Sequence, residues 1–180
     1  MSLIVKIADT TEELEQVYQL NYQTFVEEIP QHNSNDDKKL IDKFDSINKY
    51  FIVKDQNEVI GMMAINTKRP FSLDYKIENL DSYLPQYTNL VEVRLLSIKP
   101  NKRHSKVFLL LLQTIYEYGL KNNIDMAVIS GTVRQLKLYH HFGFIDFSHL
   151  VGNENALFQP MFITFKSLEK YIQQFNFQHT

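Results

Sequence analysis

The stretch from Leu90 to Phe144 constrains the fold more than any other part of the chain. It opens with V-E-V-R-L-L-S-I, an apolar, β-branched run that predicts a strand ending at Lys99. The basic turn P-N-K-R-H-S-K then leads into a helix over about Ser105–Asn122, which is apolar on every side between Val107 and Leu112. A helix without a polar face is one that lies buried against a sheet. Met126–Ser130 is a second buried strand, closed by Gly131. Val133–Phe142 is helical, with Leu136, Tyr139 and His140 on one face and Gly143 where a helix C-terminal glycine belongs. Such alternation belongs to a sheet covered by helices.

The rest of the sequence extends this layout. Leu3–Ala8 predicts a first strand. Thr10 with Glu13 forms a capping box, and Leu14, Val17, Tyr18, Asn21 and Phe25 recur at helical spacing until the helix ends near Ile29. Residues 31–39 are polar and non-periodic, an exposed loop leading into a short helix over Leu40–Phe44. Lys49–Lys54 and Val59–Asn66 form a hairpin around D-Q-N-E, a longer turn than the two-residue ideal. Residues 69–89 follow neither period and make a long excursion, Phe144–His149 and Phe158–Lys166 are further strands, and Ser167 caps a last helix. The expectation is an α/β (α+β) fold, with a mixed, mostly antiparallel sheet of about seven strands flanked by helices on both faces, in one domain over 1–180. A hydrophobic fraction of 44% is ample for one core of that size.

Bulk properties narrow the function. A net charge of -2 and a pI near 6.3 give no overall basic field for a nucleic-acid backbone or an anionic membrane, so any phosphate binding is local. The absence of cysteine excludes disulfides, a thiol nucleophile and thiolate metal sites. With no secretory signal and no apolar run near the roughly 18 residues of a membrane span, a soluble cytoplasmic protein is expected. His140 and His141 are adjacent on one helix and point about 100° apart, so they cannot chelate one metal, and no metal site is expected.

The strand, basic turn and helix of 90–122, followed by a strand and a helix ending L-Y-H-H-F-G-F, resemble the core of the GNAT (GCN5-related N-acetyltransferase) superfamily. In that superfamily the tyrosine of L-Y-x-x-x-G-F points at the thioester sulfur, which by resemblance makes Tyr139 the group that protonates the departing thiolate. Negative charge appears on sulfur as an amine attacks, and a positioned O–H stabilises it. A phenol near 10 and a thiol near 8.5 make full transfer uphill by roughly 2 kcal/mol, so hydrogen bonding with late or partial transfer fits better. The other reading is an amphipathic core tyrosine.

The resemblance implies further site residues. GNAT enzymes carry R/Q-x-x-G-x-G/A at the turn, where helix-N-terminal amides cradle the coenzyme A pyrophosphate. Arg103 takes the first position, but Lys106 and Phe108 replace the glycines, and their side chains keep a phosphate from the backbone. Either Lys102, Arg103, His104, Ser105 and Lys106 bind acetyl-CoA or acyl-CoA through side chains, or the donor is the phosphopantetheine arm of an acyl carrier protein, whose acidic surface suits a basic turn. The missing glycines also leave open a non-catalytic thioester-binding module. Backbone amides of Leu96, Ser97 and Ile98 would hold pantetheine and polarise the thioester carbonyl. Glu92 stands where the histone-acetylating branch has its general base. With Glu92, Arg94, Leu96 and Ile98 on one strand face, it is either a base or half of a Glu92–Arg94 ion pair.

Phe25–Glu28 with D-K-F-D at 42–45 resembles the amino-terminal half of acyl-homoserine-lactone synthases and N-acyl amino acid synthases, although this chain has no tryptophan. That branch places acidic residues around the amine acceptor, which implicates Asp42 and Asp45. Arg69 and Arg94 would hold an acceptor carboxylate. Acyl transfer from a thioester to a small-molecule primary amine, by direct attack, is the function these residues imply.

Overall fold

The computed structural model describes residues 3–103, 106–154 and 156–177. Its elements are β1 (Ile4–Ile7), α1 (Thr11–Tyr22), β2 (Lys49–Asp55), β3 (Glu58–Asn66), β4 (Leu90–Ile98), α2 (Val107–Lys121), β5 (Met126–Thr132), α3 (Leu136–His141), β6 (Ile145–Asp146), β7 (Val151–Asn153), β8 (Ala156–Thr164) and α4 (Phe165–Phe177). The strands form an eight-stranded sheet ordered β1-β2-β3-β4-β5-β8-β6, with β7 paired to β8. β4–β5 is parallel, whereas β1–β2, β2–β3, β5–β8, β6–β8 and β7–β8 are antiparallel. The parallel pair is the one joined through a helix, as a crossover demands. By contact the chain separates into two compact units, Met1–Asn66 with Arg94–Ile115 and Thr67–Val93 with Tyr116–Thr180.

In the first unit the Thr10 hydroxyl accepts the Glu13 amide at 3.2 Å, while the Glu13 carboxylate reaches back to the Asp9 amide at 3.2 Å. Val17 and Leu20 bury α1 against Tyr50, Ile52, Val59, Met62 and Ala64, with Leu95 packed on the edge. Each fully buried aliphatic side chain contributes about 1.5–3 kcal/mol over its exposed state. Gln16 clamps the β2–β3 hairpin, donating to the Asn57 carbonyl at 3.0 Å and accepting from the Val59 amide at 2.8 Å. The hairpin is tighter than expected. Asp55 pairs with Glu58, which leaves a two-residue turn.

Three further expectations change here. The first helix does reach Glu28, but over Gln23–Glu28 it widens into a π-helix. The helix expected at Leu40–Phe44 is a run of turns, because the Asp42 side chain accepts the Phe44 amide at 2.9 Å and the backbone closes Asp45 N–H to the Asp42 carbonyl, an i to i+3 bond. In β4, Leu95 has φ +56°, which breaks the alternation that would have put Glu92, Arg94, Leu96 and Ile98 on one face; Ser97 and Ile98 are instead both buried.

In the second unit the excursion is partly ordered and partly buried. It carries two 3-10 turns, Leu73–Tyr75 and Leu80–Tyr83, and buries Phe71, Leu73, Ile77 and Leu80. β5 pairs with β8 along its whole length. The expected strand at Phe144–His149 is only Ile145–Asp146, and β7 brings the strand count to eight rather than about seven. Thr164, not Ser167, caps α4: its Oγ1 accepts the Ser167 amide at 3.2 Å. Among the described residues, no helix is long and apolar enough to cross a membrane.

Candidate active site

Tyr139 lies on the short helix α3. Gly143, at φ +86°, ends that helix as expected, and the chain folds back so that the Phe144 amide donates to the Tyr139 carbonyl at 3.1 Å. The Tyr139 ring packs edge-on against Phe144 and over Gly131, where a Cβ would sit 2.9 Å from the ring. Glycine at 131 therefore lets the phenol lie flat on β5. Burial, with the residue 9% exposed, pushes the Tyr139 pKa up to about 12. Among the described residues none hydrogen-bonds its hydroxyl. The Tyr139 hydroxyl therefore stays protonated at neutral pH, with no hydrogen-bond partner among the described residues.

Glu92 is 1% exposed and is held by the excursion. It accepts from the Ser72 amide at 2.9 Å, the Ser72 hydroxyl at 2.5 Å and the Leu73 amide at 3.1 Å. Glu92 pairs in register with Val128, three residues from Gly131 along β5, or roughly 10 Å at strand rise. The carboxylate therefore fixes the 71–74 turn within the unit that carries Tyr139. Arg69 belongs to the same segment. It forms ion pairs with Asp74 at 3.0 Å and Asp81 at 2.6 Å, and Tyr87 donates to Asp81 at 2.5 Å.

In the first unit Arg94 and Asp42 come together as a two-pronged pair at 2.6 and 3.0 Å, with the guanidinium 4.5 Å from the centroid of the Phe44 ring. Asn48 donates to Asp42 at 3.0 Å and to the Tyr50 hydroxyl at 3.3 Å. Asp45 accepts from Tyr50 at 2.7 Å and from Tyr18 at 3.1 Å. Asp42 is thus matched by a cation, whereas Asp45 is held by two neutral phenols and has no ion pair among the described residues.

The basic turn is only partly basic in effect. Lys102 pairs with Asp55 at 3.1 Å, and Arg103 pairs with Glu28 at 2.5 Å while donating to the Ile98 carbonyl at 3.0 Å. Lys106 is exposed. His104 and Ser105 lie outside the described residues. Just before this turn, the backbone at Leu96–Ile98 follows the Leu95 kink; a leucine at positive φ costs of order 1–3 kcal/mol, and such strain clusters at functional sites.

Residues 20–113, more than half of the chain, match the family model described as the acetyltransferase (GNAT) domain. The chain belongs to the GNAT acetyltransferase family. It is therefore an acyltransferase. Among solved structures this GNAT protein is similar to the CoA-dependent acyl-homoserine lactone synthase BjaI with MTA, at 18% identity, covering 96% of this chain and 89% of that one, with a TM-score of 0.78. It is similar to the acyl-homoserine lactone synthase LasI at 20% identity, covering 91% and 90%, TM-score 0.74. The N-acyl amino acid synthase FeeM from uncultured soil microbes matches at 14% identity, covering 94% and 93%, TM-score 0.71. At these identities the likeness is one of fold. No curated protein matches the sequence.

Sequence reasoning missed two features of these segments. Ser72, which supplies two of the donors to Glu92, stands in a stretch without period. Leu95 is ordinary in composition, and only its backbone angle marks it.

Proposed function

We propose that this enzyme moves an acyl group from an acyl-coenzyme A thioester to the nitrogen of a small-molecule primary amine by direct attack. The observation that carries the reading is Tyr139, a nine-tenths buried phenol whose hydroxyl has no partner among the described residues. As the C–N bond forms and the C–S bond breaks, the electron pair goes to sulfur, and the Tyr139 O–H donates to it. A pKa near 12 against a thiol near 8.5 widens the cost of full transfer to roughly 5 kcal/mol, so Tyr139 acts by hydrogen bonding and solvent completes the protonation. The backbone amides of Leu96–Ile98, after the kink at Leu95, are the groups that hold the pantetheine arm. Glu92, occupied by three donors, is a positioning residue for the 71–74 turn. Asp45 draws the acceptor ammonium, since Asp42 is matched by Arg94; solvent takes one proton from the ammonium to free the lone pair that attacks the carbonyl, and a second from nitrogen once the C–N bond has formed.

The ion pairs of Lys102 and Arg103 with Asp55 and Glu28 reduce the free positive charge that the turn offers to either a coenzyme A phosphate or an acidic carrier protein. The test is thiol release from acetyl-CoA and longer acyl-CoA thioesters over a panel of primary amines, for the wild type and Tyr139→Phe. The variant should lose about 10- to 1000-fold in turnover while binding coenzyme A unchanged. Equal turnover would remove Tyr139 from the mechanism.

A further inference from the structure

The sheet-facing side of α1 carries a polar anomaly. At about 100° per residue, Val17, Leu20, Asn21 and Thr24 fall within one arc of roughly 100° that faces the strands. Val17 and Leu20 are ordinary core. Asn21 is 0% exposed, and among the described residues neither its Oδ1 nor its Nδ2 has a hydrogen-bond partner; Thr24, 6% exposed, leaves its hydroxyl likewise unpaired among them. A primary amide buried without partners is among the costlier things a fold can hold, because it forfeits its bonds to water. The same stretch widens into the π-helix from Gln23 to Glu28, a feature that recurs at functional sites.

The strand that meets this face repeats the anomaly. Ser97 on β4 is 1% exposed and its hydroxyl also has no partner among the described residues. Two contacts bring the β4 residues on either side of Ser97 to the helix. Two residues before it, Leu95 packs against the cluster that holds Val17 and Leu20. One residue after it, the Ile98 carbonyl accepts from Arg103, which pairs with Glu28 at the end of the π-helix. Asn21 and Thr24 lie between these two tie points on the helix, as Ser97 does on the strand.

We infer that Asn21, Thr24 and Ser97 form a neutral hydrogen-bonding seam that receives an amide or hydroxyl of the donor's pantetheine arm. The three side chains offer donors and acceptors but no charge, which matches the two amides and the hydroxyl of that arm and does not match a phosphate or an ammonium. The inference rests on the acyl-thioester reading above and assigns to it side chains of the first helix.

Isothermal titration with coenzyme A, pantetheine and adenosine 3′,5′-bisphosphate, which lacks the arm, tests it in the full chain. Asn21→Leu should weaken coenzyme A and pantetheine about 3- to 10-fold and leave the bisphosphate unchanged, while the thermal midpoint of the ligand-free protein stays level or rises. Ser97→Ala and Thr24→Val, which remove one hydroxyl each with little change in packing, should act in the same direction and keep the test open if Asn21→Leu does not fold. Unchanged coenzyme A affinity in all three variants would mean that bound water satisfies the seam, and overturns the inference alone. A fall in the ligand-free midpoint of Asn21→Leu with coenzyme A affinity intact makes Asn21 structural and likewise overturns the inference alone. No binding of coenzyme A or pantetheine by the wild type overturns both this inference and the acyl-thioester reading.

Discussion

Tyr50 and Tyr139 are both buried tyrosines whose hydroxyls resist ionisation, yet the fold uses them in opposite ways. Burial raises the pKa of each. Around Tyr50 the Asp45 carboxylate reinforces the shift, and the hydroxyl is committed to Asp45 and Asn48. Around Tyr139 burial acts by itself, and the hydroxyl is committed to nothing among the described residues. A phenol with filled hydrogen bonds is part of the structure. One that is buried, protonated and unspent is available to a reacting atom. Exposure and pKa cannot tell the two apart; the partners do.

The contrast predicts that removing groups from the Tyr50 network costs stability, whereas Tyr139→Phe costs turnover. The largest stability effect belongs to Arg94→Met, which leaves the Asp42 carboxylate, 12% exposed, without its cation. Breaking a pair of that burial should cost about 3 kcal/mol, or roughly 6–12 °C in the thermal midpoint at this size. Adding Asp42→Asn should recover part of the loss, and a double-mutant cycle with no coupling would show that the pair contributes little. Tyr50→Phe comes next. It deprives Asp45 of one donor while Tyr18 remains, so about 1–2 kcal/mol is expected, read as a denaturation midpoint. Tyr139→Phe should move the same midpoint by less than either. A loss from Tyr139→Phe as large as that from Tyr50→Phe would erase the distinction.

The sequence carried more of one region than of the other. The L-Y-H-H-F-G-F ending places Tyr139, its helix and the Gly143 cap, because a helix stop and a glycine at positive φ are local events with local signals. The Asp42–Asp45 segment reads as helical from its spacing, and only tertiary partners decide otherwise: Arg94, 52 residues away in sequence, holds Asp42, and a side-chain bond to the Phe44 amide replaces the helical turn. Glu92 stands out from its strand, but its partner Ser72 sits 20 residues upstream in a stretch with no period to flag it. Asn21 is visible as a polar residue at a core-facing helical position, yet its lack of partners is a property of the packed state.

Alkaline titration separates the two tyrosines by the smallest expected effect. Burial, aided by the bond to Asp45, also pushes Tyr18 up to about 12, so Tyr18, Tyr50 and Tyr139 all keep their protons in the fold at pH values where an unfolded chain, with tyrosines near 10, has lost them. The folded state then binds more protons than the unfolded one. Stability is fully present below pH 10 and falls as the pH rises from about 10 to about 12. The share of Tyr139 amounts to roughly 1 kcal/mol by pH 11, and Tyr18, being partly exposed, contributes less. Urea denaturation at pH 9 and pH 11 should therefore show a smaller loss for Tyr139→Phe than for the wild type, and turnover in the wild type should show no loss from Tyr139 ionisation across that range. If the two proteins lose stability equally between pH 9 and 11, Tyr139 ionises like an exposed phenol, and its proposed role as a protected proton donor goes with it.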